Sequence, residues 1–137
     1  MRIDMKIQGL DKLIDKFSGS DQLMRELSQN LAEASIDLVK EGFDGQVDPY
    51  GKRWKETARG GEILSDTGAM KNGWKVKGFS RNRFQITGSV PYTSYHQTGV
   101  PKNNLVARKM VPDGRMARKW LNEYSELAED ILEEYFG

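Results

Sequence analysis

The segment WKVKGFSRNRFQITG, residues 74–88, decides the fold. In its first half Trp74 and Val76 alternate with lysines; in its second, Phe84 and Ile86 alternate with polar residues. A period of two is the pattern of a strand with one buried face. The polar SRNR between the halves is short enough for a hairpin turn. Two strands with one apolar face need another layer to cover it.

The cover is legible on both sides. Over residues 21–43, Leu23, Leu27, Leu31, Ala34, Leu38 and Val39 recur at spacings of three or four, which predicts a long amphipathic helix. Ser20 or Asp21 caps its start, and Gly42 and Gly45 are expected to end it. In GRMARKWLNEYSELAEDILEEYFG, residues 114–137, Trp120, Leu121, Tyr124, Leu127, Ala128, Ile131, Leu132 and Tyr135 form a second stripe. Arg115, Arg118 and Lys119 fall in its first turns, where the helix dipole disfavours cations. Near the start, RIDMKIQG puts Ile3, Met5 and Ile7 on one face of a short strand, and LDKLIDKF suits a helical turn or two. The expectation is an α+β domain over residues 1–137: an antiparallel sheet packed by two long helices, N-terminal and C-terminal, with a long central loop.

That loop is GQVDPYGKRWKETARGG, residues 45–61. Pro49 presets φ, Asp48 can bond backbone amides and Gly51 accepts unusual φ, so DPYG is a strong turn signal. So many breakers in seventeen residues predict a loop, with room for mobility. VPKNNLVARKMVP, residues 100–112, reads as another hairpin or an extended arm.

A chain of 137 residues suits a single core. No cysteine is present, which excludes disulfides, thiolate metal sites and a cysteine nucleophile, and fits a reducing cytosol. The start has no apolar signal region, and no stretch approaches the roughly 20 apolar residues that cross a bilayer. Net charge is +1 but uneven. Residues 1–45 hold 6 basic and 9 acidic side chains, residues 46–112 hold 12 and 4, and residues 113–137 hold 3 and 7. A basic middle between acidic ends suits head-to-tail binding of copies, or a polyanion; solvated helix faces and hairpins are the plainer account.

Catalytic patterns are weak. The triplet Asp66-Thr67-Gly68 matches an aspartic-protease signature, but a second copy is missing. His96 is the only histidine, so a metal site would need several carboxylates beside it, and the nearest acidic residue, Asp113, lies beyond a basic run. Ser89, Thr93 and Ser94 are close to His96 in sequence, yet no glycine elbow surrounds them. No phosphate loop or dinucleotide fingerprint occurs. Twelve basic residues, among them Lys75, Lys77, Arg81, Arg83 and Arg108, interleave with aromatics between residues 46 and 112. Such a mixture can track a nucleic-acid backbone without reading its sequence. His96 and Gln97 are expected to fix a strand-end turn by hydrogen bonds, with Gly99 supplying the unusual backbone angle. A part in subunit contact is the alternative.

Several stretches together resemble a family. FDGQVDPYGKRWKE, ILSDTGAMKNGW, ITGSVPYTSYHQTGV and VARKMV, in that order, are similar to elements of phage virion-morphogenesis and tail-completion proteins, typified by the Mu-like protein G group. The resemblance covers residues 43–113. Met70 stands where the family pattern has leucine, and Ala107-Arg108-Lys109-Met110 replaces a proline-arginine-aromatic run. The resemblance implies a structural protein of head–tail joining or tail completion, acting as an oligomeric ring without catalytic centre or cofactor. It further implies contact with itself and other neck or tail proteins, assembly in the host bacterial cytoplasm and residence in the virion. Its motif residues are Asp48, Pro49, Tyr50, Gly51 and Trp54, then Thr67 and Gly68, then Tyr92, His96, Gln97 and Gly99. Tyr50 and Trp54 are expected to order only against a neighbouring subunit. A ring lumen passing DNA would be basic, drawing on Lys75, Lys77, Arg81 and Arg83.

Overall fold

The computed structural model describes residues 2–6, 20–55, 68–81, 83–90, 93–103 and 105–136. Thr67, Tyr92, Ile7 and the LDKLIDKF stretch lie outside them. The elements run β1 (Arg2–Lys6), α1 (Asp21–Gly45), α2 (Ala69–Asn72), β2 (Trp74–Phe79), β3 (Arg83–Gly88), α3 (Thr93–Thr98), a 3-10 turn (Pro101–Asn103) and α4 (Arg118–Phe136). This is the expected α+β arrangement: an antiparallel sheet in the order β1-β3-β2, packed with two long helices.

The hairpin closes through SRNR, with Ser80 N donating to Arg83 O at 2.8 Å. Trp74, Phe84 and Ile86 are buried, as their alternation requires. Lys77 is an extra residue: Val76 pairs with Ile86, but Gly78 already pairs with Gln85. This bulge resets the alternation, so Phe79 stands opposite buried Phe84. Phe79 emerges at the sheet end beside Gln22, Arg25 and Glu26 of α1, 41% exposed.

In α1, Leu23, Leu27, Leu31, Leu38 and Val39 are buried, and Ala34 is half-buried. Ser20 is the cap, its Oγ accepting from Leu23 N at 3.1 Å. The helix passes through Gly42 and stops at Gly45, with Gln46 left-handed at φ 58°. Gly42 is a contact residue rather than a breaker: Val47 N donates to its carbonyl at 3.0 Å, and a Cβ there would lie 3.2 Å from Val47 O. Small residues let α1 approach α4. Ser35 Oγ donates to Leu31 O at 2.8 Å and lies 2.5 Å from the Tyr124 hydroxyl. Burial pushes that phenol well above its ordinary pKa. Tyr124 also meets Phe84 and Trp120 edge-on, at 6.3 and 6.4 Å between ring centres.

The last helix starts four residues later than its sequence pattern suggests, at Arg118. Arg115 therefore lies in the preceding loop, while Lys119 pairs with Glu41 of α1 at 3.1 Å.

Candidate functional site

Of the described motif residues, those of the DPYG hairpin and of residues 96–99 converge on one extended segment, residues 105–116, from three directions. The first is the hairpin after α1. Asp48 Oδ1 accepts from Tyr50 N and Lys52 N, both at 2.9 Å, while Gly51 takes φ 90°. This is the self-bonding turn that DPYG encodes. Val47 and Arg53 bridge its two arms, and Trp54 N donates to Gln46 O at 2.9 Å. So residues 46–55 form a tight hairpin where the sequence suggests a mobile loop.

Trp54 does not wait for another subunit. It is 4% exposed, meets Phe43 edge-on at 5.2 Å, and donates Nε1–H to Lys109 O at 3.0 Å. Tyr50 is half-buried in the same chain. Its hydroxyl accepts from Asp113 N at 2.9 Å and faces the Arg115 carbonyl at 2.5 Å. The Arg115 guanidinium stands 5.3 Å and the Lys109 ammonium 5.9 Å from its ring centre, both cation–π contacts. The expectation that both aromatics order only against a neighbour is thus corrected. The partners are buried Phe43 and the backbone at Lys109, Asp113 and Arg115, which nothing in a linear sequence places beside residues 50–54.

The second direction is α3. Its six residues form a helical turn where a plain strand-end turn is expected. Gln97, 2% exposed, carries the hydrogen bonds of this motif. Its Oε1 accepts from Met110 N at 2.7 Å and Val111 N at 3.3 Å, and its Nε2 donates to Val111 O at 2.9 Å. His96 contributes its backbone, accepting from Arg108 N at 2.7 Å.

The third direction is Gly99, at φ 76°. Its N–H closes α3 on Tyr95 O at 2.7 Å, and Val100 and Leu105 then pair as a small hairpin. A Cβ at Gly99 would meet Ala107 N at 2.8 Å and Leu105 O at 2.9 Å, both backbone atoms. Gly99→Ala is therefore expected to cost about 2–3 kcal/mol, from left-handed strain plus an unyielding clash. A urea midpoint within error of wild type would refute this close approach.

Within the segment itself, Arg108 and Met110 are buried. Arg108 donates Nε–H and Nη2–H to Lys55 O at 3.1 and 3.0 Å. It is thus withdrawn from the basic surface that a charge count assigns it. The alternation in ARKM is the signal that could have found this, since it puts residues 108 and 110 on one side. Gly68 caps α2 at φ 62°, its carbonyl accepting from Asn72 N at 2.9 Å. It is the described part of the Asp-Thr-Gly triplet, and Met70 carries the buried contact of that motif.

His96 is half-buried, and its pKa is lowered, first by burial and then by the Arg108 charge. In the unfolded chain it takes up a proton near the ordinary value of about 6.5. On acidification below that value the unfolded state binds the proton first, so folding stability falls until the lowered native pKa is passed. His96→Asn is expected to flatten this part of the stability–pH profile. Equal slopes for both proteins between pH 7 and 5 would contradict it.

Beside the hub, a cleft of about 730 Å³ opens between the DPYG turn, the end of α1 and the start of α4. Tyr50, Met110, Arg115, Arg118 and Lys119 stand on its walls. Three cations there face one carboxylate, Asp48, whose Oδ1 is bonded to the Tyr50 and Lys52 amides. Among the described residues, no three His, Asp or Glu side chains gather so as to hold a metal ion. No described helix is long and apolar enough to cross a membrane. Of the lumen candidates, Lys75, Lys77, Arg81 and Arg83 are all exposed, and Arg81 pairs with Asp21 at 3.0 Å. No protein-family model, curated protein or solved structure matches the chain.

Proposed function

We propose that this chain is a structural component of a tailed phage or prophage, acting in head–tail joining or tail completion as an oligomeric ring. It is a building block rather than a catalyst, assembled in the host cytoplasm and carried in the virion beside other neck or tail proteins. The observation that carries this reading is the convergence of the first and third motifs on residues 105–116, the segment that holds the fourth. Trp54, Gln97 and Gly99, three of the motif residues, spend their polar and steric capacity on that segment's backbone. Residues used in this way preserve a shape; they are unavailable for turning over a substrate.

Mass spectrometry of purified particles tests the reading, together with deletion of the gene. The chain should be present at ring-like copy number, and its loss should leave heads and tails unjoined. Complete particles assembled without it would overturn the proposal. Non-specific nucleic-acid binding is the second reading, favoured by the exposed Lys75, Lys77 and Arg83. It predicts duplex binding with a steep salt dependence.

A further inference from the structure

The last helix is charged against its own dipole. Arg118 and Lys119 occupy its first turn, and Glu133 and Glu134 its last, where no basic residue offsets them. A helix N-terminus favours anions and a C-terminus favours cations, so both ends are disfavoured. Along one side, Glu123, Glu126, Glu129, Asp130, Glu133 and Glu134 are all exposed. Several are spaced three or four apart, as in Glu126–Asp130 and Glu129–Glu133, and such like-charge pairs repel. Among the described ion pairs, none involves these six carboxylates.

The opposite situation exists on the sheet. Its inner face carries Trp74, Phe84 and Ile86 against the helices. On the outer face Lys75, Lys77 and Arg83 are exposed, with Gln85 and Thr87 half-buried between them, and none of the described ion pairs neutralises the three cations. Alternation from buried Trp74 puts Lys75 and Lys77 on this face, and Arg83 joins them one residue before buried Phe84.

From these two surfaces we infer that the outer sheet face of one copy receives the acidic side of α4 from a second copy. The inference rests on the ring reading above and names its contact. Dimensions agree. The carboxylates from Glu123 to Glu134 span about 17 Å at the helical rise of about 1.5 Å per residue. The six residues of β2 span about 17–20 Å, and three strands make a face about 10 Å wide, one helix diameter. Sheet and helix are different surfaces, so the contact is head-to-tail, the kind that closes rings. It is polar, so it governs register and salt sensitivity more than raw affinity. A nucleic-acid backbone would satisfy the lysines equally well, but it would leave the reversed, self-repelling helix without a partner.

The test is a charge swap on the full chain, read by sedimentation velocity and native mass spectrometry at low and high salt. Wild type should self-associate at low salt and dissociate as salt rises. Lys75→Glu with Lys77→Glu, and separately Glu126→Lys with Asp130→Lys, should each weaken association at least tenfold while leaving circular dichroism unchanged. Mixing the two reversed proteins should restore it, since each then offers what the other lacks. Association that ignores all four substitutions overturns the contact and leaves the ring reading standing. A chain that stays monomeric even at millimolar concentration also overturns the contact, whereas the ring reading is judged separately by the particles. Duplex DNA binding lost in the lysine variant, without self-association of wild type, assigns the face to nucleic acid and overturns the inference.

Discussion

Gln97→Leu is expected to destabilise the protein by about 3–6 kcal/mol, because it strands two amides and one carbonyl in a buried place at about 1–2 kcal/mol each. The groups are Met110 N–H, Val111 N–H and Val111 C=O, all served by one side chain that is 2% exposed. Leucine fills nearly the same volume, so the loss measures the hydrogen bonds rather than a cavity. Gln97→Glu separates the donor from the acceptor. An ionised carboxylate still accepts from both amides, but it faces the Val111 carbonyl without a proton. A protonated one reproduces the amide, donating to that carbonyl and accepting from the amides. Burial raises its native pKa above the unfolded value, so the stability it supplies is present at low pH and lost as pH rises through the raised value. Urea denaturation across pH should therefore show the variant approaching wild type on acidification. A loss below about 1 kcal/mol in Gln97→Leu would mean that water replaces the clamp.

Trp54→Ala is expected to cost about 3–5 kcal/mol, the range for removing a large buried aromatic. The indole stands between Phe43 and the backbone at Lys109, and its N–H donates to Lys109 O. Without it the hairpin of residues 46–55 loses its root in the core. Trp54→Phe retains a ring against Phe43 and strands only the carbonyl, so about 1–2 kcal/mol is expected. Two equal losses would show that the hydrogen bond, not the ring, holds the hairpin. A near-neutral Trp54→Ala, with the Tyr50 fluorescence environment unchanged, would show that the turn stands by itself.

The two long helices were legible because burial imposes a period on them. Leu23, Leu27, Leu31, Leu38 and Val39 recur, and so do Trp120, Tyr124, Ala128 and Ile131. The hairpin was legible for the same reason at period two, through Trp74, Phe84 and Ile86. Boundaries were less so. Gly42 looked like a stop signal, yet the helix runs three residues further, and the glycine instead leaves room for the Val47 carbonyl. The Lys77 bulge was invisible, because nothing in WKVKGF shows which residue its partner strand will skip.

The candidate site was half legible. DPYG encoded its turn locally, through Asp48 and Gly51, and Gly99 announced a left-handed backbone. What those turns face was not written beside them. Trp54 reaches Lys109 across 55 positions, Tyr50 reaches Asp113 across 63, and Arg108 reaches Lys55 across 53. Short-range chemistry is recorded in the order of residues, because a residue a few places away is always a neighbour. The sequence alone therefore determined the α+β class, both helix stripes, the hairpin and the turn residues. Only the tertiary structure decided that the DPYG hairpin, Gln97 and Gly99 converge on residues 105–116, that Arg108 is buried, and that the carboxylates of α4 and the lysines of β2 are exposed. Those facts depend on which distant segments the packed core brings together.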